Sequence, residues 1–304
     1  MHIRKPGIFT TVQNLGRSGY RSLGVNPGGA MDRTAVRLIN CLLGNDENAA
    51  VLEMHFPAAE IVFESPATFI LGGANFGAEL DGQIVNNWRC FSAKAGSTLK
   101  FCERTKGNRT YLAVAGGLKY EQVLGSSSTR IETATHIEIN EAERRSFLGE
   151  HTRVSTSLVP IYSRFPTVRV VDGPESNLLD DKSTELFFNE LFTILPASNR
   201  MGYRLDSEPL SLTGGFQMVS SAVTFGTIQL LPNGQIITLM ADHQTTGGYP
   251  RIGQIASVDL PLMAQLGAGD KVSFHKVAVG EAEDVAMQFE RDLALMTLGV
   301  RLRT

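Results

Sequence analysis

Ala268-Gly269-Asp270-Lys271-Val272-Ser273-Phe274 is the stretch on which the fold turns. The glycine marks a tight turn. Lys271 to Phe274, with a β-branched and an aromatic residue, reads as the strand that follows it. A similar stretch stands early in the chain, Ala95-Gly96-Ser97-Thr98-Leu99-Lys100-Phe101. Runs of the same kind surround both: Val12, Ile61-Val62-Phe63, Phe69-Ile70-Leu71, Tyr111-Leu112-Ala113-Val114, Val168-Arg169-Val170-Val171 and Ile236-Ile237-Thr238-Leu239. Thirty glycines and twelve prolines punctuate them. Many short strands with glycine-rich turns predict a mainly β protein, built as barrels or sandwiches.

Further matches follow in the same order. Arg17-Ser18-Gly19-Tyr20-Arg21 is similar to Arg200-Met201-Gly202-Tyr203-Arg204, and Val51-Leu52-Glu53-Met54 to Ile237-Thr238-Leu239-Met240. Gly24 to Gly28 is similar to Ala222 to Gly226, and Ile3 to Gly7 to Val170 to Pro174. Ordered matches predict two related halves, about 1–118 and 167–277, with a ligand cleft between the copies. The domain expectation is a first half plus connector over 1–166, a second half over 167–280, and a helical tail over 281–304. Helical spacing predicts three helices: Asp32 to Leu43 with Asp32 as N-cap, Lys182 to Phe192, and an amphipathic helix from Glu281 to Leu298.

The 304 residues are 42% hydrophobic and 19% charged, with a net charge of −3. That composition supports a sizeable core and sets up no basic field for nucleic acid or an anionic membrane. The sequence has no signal core and no apolar run of transmembrane length. Cys41, Cys90 and Cys102 form no CxxC pair, so neither a disulfide framework nor a zinc knuckle is expected. A reducing cytoplasm fits best. The histidines are scattered without ligand spacing, and no metal site is expected.

Three segments carry chemistry. Asp242-His243-Gln244-Thr245-Thr246-Gly247-Gly248-Tyr249-Pro250-Arg251 follows a strand and holds an unusual density of functional groups. Asp242 would act as base or orient a donor, and His243 titrates near neutrality. Gly247 and Gly248 would adopt positive φ and present backbone N–H groups as an anion nest. The alternative is an ordinary polar turn in which these side chains satisfy local backbone. The second segment runs from Thr10 to Arg21. Arg17 and Arg21 are forked donors suited to a carboxylate or phosphate, or else surface ion pairs. The third, Asn26-Pro27-Gly28-Gly29-Ala30-Met31-Asp32, is a glycine turn running into a helix. It is an anion site or a plain turn with an Asp32 N-cap. Ser126-Ser127-Ser128-Thr129 after Gly125 reads as a solvated loop.

Thr11 to Arg17, Pro27 to Asp32, Arg200 to Arg204 and Asp242 to Pro250 resemble the signature segments of the biotin-dependent carboxyltransferase family, also called allophanate hydrolase subunit 2 or KipA. The resemblance runs from about Ile3 to Phe274. It implies a mainly β architecture of two cyclophilin-like β-barrel halves with a few short helices. It also implies the C component of a bacterial ATP-dependent 5-oxoprolinase. With subunits A and B, that component would use ATP to open 5-oxo-L-proline to L-glutamate. The alternatives it carries are carboxyl transfer from carboxybiotin to urea or a similar amide, and a regulatory protein antagonising a histidine-kinase inhibitor. By this resemblance Asp242, His243, Gln244, Thr245 and Thr246 would be catalytic. Gln13, Arg17, Tyr20, Asp32, Arg200, Tyr203, Gly247, Gly248 and Tyr249 would bind substrate, with Arg17 or Arg200 on its carboxylate. The chain departs from the family pattern at His243, where arginine is usual, and at Thr224-Phe225-Gly226-Thr227. It lacks a Met-Lys-Met attachment site, so biotin is not expected on this chain.

Overall fold

The structure is a computed structural model and describes residues 1–132, 135–140, 152–214 and 218–302. The chain divides into two compact units. One holds Met1–Gly16, Asp32–Tyr162 and Phe289–Thr304, and the other holds Arg17–Met31 and Ser163–Gln288. The segment around the Pro27-Gly28-Gly29 turn therefore belongs with the second unit, although it lies early in the sequence.

The first unit contains β1 (His2–Lys5), β2 (Thr10–Gln13), α1 (Arg33–Leu42), β3 (Val51–Met54), β4 (Glu60–Val62), β5 (Ala67–Asn75), β6 (Ala78–Leu80), β7 (Gln83–Val85), β8 (Cys90–Ala93), β9 (Thr98–Phe101), β10 (Lys106–Val114), β11 (Leu118–Lys119), β12 (Thr129–Arg130) and β13 (Glu138–Ile139). They pair as a five-stranded sheet, β1-β4-β9-β6-β7, a six-stranded sheet, β12-β2-β3-β10-β5-β8, and the pair β11-β13. Val12, Leu52, Leu71 and Leu112 of the larger sheet pack with Ile3, Ile61 and Leu99 of the smaller one in a single apolar core. Helix α1 begins where the sequence places it. Asp32 accepts from the Ala35 N–H at 2.8 Å and closes the first turn. Gly72 on β5 is required by the approach of α1, because a Cβ there would stand 2.6 Å from Ile39 Cγ2.

The second unit contains β14 (Thr167–Asp172), α2 (Asp181–Asn189), β15 (Phe192–Ile194), β16 (Gly202–Asp206), β17 (Ser221–Ala222), β18 (Thr227–Leu230), β19 (Ile236–Leu239), β20 (Thr246–Gly247), β21 (Arg251–Ile255), α3 (Leu260–Ala264) and β22 (Lys271–Lys276). Seven of these strands close a barrel in the order β14-β21-β18-β19-β16-β15-β22. The β14–β22 pair is parallel and its other neighbours antiparallel. Phe187, Phe192 and Phe274 fill the core, with Phe274 centred 5.0 Å from Phe187 and 5.2 Å from Phe192. Such ring pairs add about 0.5–1.5 kcal/mol each beyond the area they bury. Helix α4 (Val279–Arg301) begins in the second unit and ends in the first.

The mainly β reading holds. Closure belongs to the second unit, whereas strands of the first pair as two sheets and a short ribbon. The turn-and-strand stretches around Gly96 and Gly269 do share a local shape. Both glycines take positive φ, 87° and 84°, and each leads into a strand, β9 or β22. The arginine repeat does not. Gly202 to Arg204 lies in β16, whereas Arg21 opens a short 3-10 turn, Arg21–Leu23, in a loop. Helix α2 ends at Asn189, short of the expected Phe192, because Phe192 is drawn into β15 opposite Val272. Helix α4 is 23 residues long and overruns its expected bounds at both ends. Five-residue α3, which is apolar nearly throughout, offers no period to read. The serine loop is solvated only in part: Ser128 and Thr129 are exposed, whereas Ser126 and Ser127 are buried where Thr129 pairs with Val12 and holds the segment against β2.

Candidate functional site

The site of the second unit forms where β16 and β19 end together. These strands are antiparallel, with Gly202 opposite Leu239. Arg200, just before β16, and Asp242, just after β19, therefore emerge side by side. The backbone continues the pairing outside the strands: Met240 N–H donates to Met201 O at 3.0 Å and Asp242 N–H to Arg200 O at 2.8 Å. The side chains then meet fork to fork. Arg200 Nε donates to Asp242 Oδ2 at 2.7 Å, and Nη2 to Oδ1 at 3.0 Å. Their side chains are 12% and 29% exposed, so solvent reaches the pair from the Asp242 side. A two-point charge-assisted pair of this kind fixes both groups in direction as well as place.

The loop between Arg17 and Met31 lies over this pair. Arg200 Nη2 also donates to Gly29 O at 2.5 Å, and Asn26 Nδ2 to Asp242 O at 3.3 Å. Arg17 N–H donates to Pro27 O at 2.7 Å, which brings its guanidinium to the same place. A Cβ on Gly28 would stand 3.3 Å from Arg17 Nη1 and 3.7 Å from Asp242 Oδ1. Gly28 also has φ of 59°, which disfavours any side chain there. The result is a half-exposed cluster of two guanidiniums and one carboxylate. Both oxygens of Asp242 accept from Arg200, so the carboxylate holds Arg200 in place.

The rest of the segment after Asp242 is less chemical than its composition suggests. His243 is 1% exposed; its N–H donates to Met240 O at 3.0 Å and its Nδ1 hydrogen-bonds with Gln244 O. It therefore stiffens the turn it sits in. Gln244 and Thr246 are exposed, and Thr245 is half-buried with its carbonyl accepting from Val223 N–H at 3.2 Å. Gly247 and Gly248 do not adopt the expected positive φ, so no nest of alternating backbone hand forms there. Gly247 instead pairs with Ser221 in the β17–β20 ribbon. It must be small because a Cβ would fall 2.5 Å from Gln229 Nε2. Tyr249 is 42% exposed. It lines an open depression of about 640 Å³ with Leu210, Met218, Leu231 and Gly248, whose lining includes neither Arg17 nor Arg200.

The other expected binding residues have structural duties. Tyr203 is buried in the barrel core and its hydroxyl donates to Leu266 O at 3.2 Å. It does not line the site, because its β16 position points it inward. Tyr20 precedes the 3-10 turn and its carbonyl accepts from Leu23 N–H at 3.0 Å. Gln13 and Asp32 belong to the first unit and are buried there. Asp32 commits one oxygen to its helix cap and the other to the Tyr162 hydroxyl at 2.7 Å.

Four residues support the site, and two of them, Gln229 and Glu175, carry no signal of their own in the sequence. Buried Gln229 donates to Tyr249 O at 3.1 Å and ties down the glycine pair. Arg251 pairs with Glu175, Nη2 to Oε1 at 2.7 Å and Nε to Oε2 at 2.9 Å, and also donates to Ala222 O at 3.0 Å. The Arg251 hydrogen bond holds the Glu175 carboxyl below the usual carboxylate range. Arg21 donates to Val223 O next in line. Arg251 and Arg21 together hold the strand that faces Thr245 and Thr246. Among the described residues, no group of three His, Cys, Asp or Glu side chains is placed to hold a metal ion, and no helix is long and apolar enough to cross a membrane.

Residues 23–276 match the model of a carboxyltransferase domain, subdomains A and B. The chain is 36% identical over 292 residues to the C component of 5-oxoprolinase from Escherichia coli, covering 93% of each. It is 34% identical over 277 residues to the protein of the same name from Haemophilus influenzae, covering 90% of this chain and 89% of the relative. Urea amidolyase of Saccharomyces cerevisiae is 27% identical over 332 residues, and the match covers 18% of that much longer protein. Among solved structures, the Kluyveromyces lactis urea carboxylase superposes with a TM-score of 0.90 at 24% identity, over 97% of this chain and 29% of that one. At that identity the likeness is one of fold.

Proposed function

The chain belongs to the carboxyltransferase-domain family, subdomains A and B, and from that premise we propose that it is the C component of an ATP-dependent 5-oxoprolinase. In this reading it works with subunits A and B to convert 5-oxo-L-proline to L-glutamate. Two relatives above 30% identity that bear this name support the assignment across nearly the whole length.

The observation that carries the chemistry is the Arg17–Arg200–Asp242 cluster. 5-Oxo-L-proline has a carboxylate and a lactam. Arg17 would take the carboxylate in a forked pair, on the side that Gly28 leaves open. Arg200, fixed in direction by Asp242 and by Gly29 O, would stabilise negative charge gathering on the lactam oxygen as the amide is activated. Donors held in place before reaction are the effective way to do this. ATP is a substrate of the complex, and no residue of this chain is assigned to it.

The test is reconstitution. The chain is purified with its A and B partners, and glutamate release is followed with and without ATP. Turnover that is unaffected by omitting this chain would sink the proposal. The fold shared with urea carboxylase supports one alternative, carboxyl transfer to urea or a similar amide from a carboxybiotin borne by another chain. Bicarbonate-dependent, biotin-dependent ATP turnover in the same reconstituted mixture would favour it.

A further inference from the structure

Arg21 reads in the sequence as a forked donor for an anion. In the structure its Nη2 donates to Val223 O instead, and both residues belong to the second unit. Val223 is itself well anchored. It is 1% exposed, and its N–H donates to Thr245 O at 3.2 Å. The preceding Ala222 O accepts from Arg251 Nη1 at 3.0 Å, and Arg251 is held by Glu175 through two bonds. Arg21 therefore grips a carbonyl that is fixed independently of the loop Arg21 comes from.

That loop is packed lightly. Every residue from Arg17 to Pro27 is half-buried or exposed, and Leu23 is 75% exposed. A Cβ on Gly19 or Gly24 would meet nothing within 4 Å. Arg17 N–H donates to Pro27 O at 2.7 Å, so the two ends of the arc are joined. Inside it, Leu23 N–H donates to Tyr20 O and Gly24 N–H to Arg21 O, both at 3.0 Å. A short arc with joined ends and little apolar burial lies at the low end of local stability, where hydrogen bonds set its position. The ends of this arc stand at the site. Asn26 Nδ2 reaches Asp242 O at 3.3 Å, and Arg17 Nη1 lies 3.3 Å from where a Gly28 Cβ would stand. Arg21 lies between those ends and ties the arc to Val223.

We propose that Arg21 is a positioning residue: by gripping Val223 O it holds the Arg17–Pro27 arc in place and so keeps the Arg17 guanidinium beside Asp242. It acts through Arg17 and not by touching substrate. The kinetic consequence rests on the oxoprolinase reading, in which Arg17 takes the substrate carboxylate. A displaced Arg17 then weakens substrate binding more than it slows the chemistry that Arg200 assists. Lysine at position 21 keeps a charged donor without the planar fork, so it restores the grip in part.

Two measurements on wild type, Arg21→Met and Arg21→Lys test this. Arg21→Met keeps an apolar stem and removes the donors. The first is hydrogen–deuterium exchange of the full-length chain, read by mass spectrometry. Peptides covering 17–27 are expected to exchange at least about tenfold faster in Arg21→Met, the loss that follows removal of a hydrogen bond from a charged group. Exchange in β16 and β19 stays as in wild type, and Arg21→Lys falls between. The second is steady-state kinetics of the complex with A and B. KM for 5-oxo-L-proline is expected to rise about tenfold in Arg21→Met with kcat within about twofold, and Arg21→Lys recovers part of the loss. Unchanged exchange over 17–27 overturns the proposal. So does faster exchange across the whole second unit, which marks a merely structural role. In a complex that turns over, an unchanged KM or a fall in kcat alone also overturns it. A wild-type complex without turnover counts against the oxoprolinase function, and exchange in the arc then decides the role of Arg21 by itself.

Discussion

Arg200 and Asp242 hold each other by two hydrogen bonds, Nε to Oδ2 at 2.7 Å and Nη2 to Oδ1 at 3.0 Å, although 42 residues of sequence separate them. Arg200→Lys keeps the charge and removes the fork. The expected outcome is a fall of about tenfold to a hundredfold in kcat for glutamate release by the reconstituted complex. That is the loss associated with a hydrogen bond to a charged group, about 1.5–3 kcal/mol. A thermal melt serves as the control for folding. Unchanged kcat would remove Arg200 from the reaction.

Gly28 brings backbone conformation and site access together. With φ of 59° and Arg17 Nη1 3.3 Å from a would-be Cβ, Gly28→Ala strains the turn by about 1–2 kcal/mol and displaces the Arg17 guanidinium. The expected outcome is a raised KM for 5-oxo-L-proline that exceeds any change in kcat. Steady-state kinetics at saturating ATP check it.

Gly247 and Gln229 compete for one space. A Cβ at Gly247 would stand 2.5 Å from Gln229 Nε2, whose donation to Tyr249 O would then be lost. Gly247→Ala is expected to destabilise the second unit by about 1–3 kcal/mol, the usual range for overpacking. Denaturant unfolding measures it, and a loss below about 0.5 kcal/mol would count against the packing account.

Glu175 gives the second unit an acid limit. Its hydrogen bond from Arg251 lowers the folded carboxyl below its unfolded value. A group depressed on folding contributes stability that is complete above its unfolded pKa and lost as pH falls through the folded one. Stability is therefore expected to decline below about pH 4.3, the ordinary glutamate value. Glu175→Gln flattens that part of the profile. Melting curves of both proteins across the acid range check it, and parallel profiles would refute the assignment.

The strands, the α1 boundary and the family were legible in the sequence because each depends on neighbours along the chain. Alternation and turn residues mark Lys271 to Phe274, a capping aspartate marks Arg33, and short motifs mark the family. Arg17, Arg200 and Asp242 were legible as residue types, and their partnership was not. It follows from the ends of β16 and β19 meeting and from a loop early in the chain joining the second unit. The same cause explains why Tyr203 reads as a pocket residue, Gly247 as part of a nest and Ser127 as solvated. Burial and partners are not visible along the chain. Glu175 and Gln229 gave no warning, since lone acidic and amide residues are common and their roles here come from groups 76 and 20 residues away. Local propensity and pattern thus determined which elements form. Only tertiary structure decided which side chains share a site, because hydrogen bonds and charge pairs act over a few ångströms of space, whatever the distance along the chain.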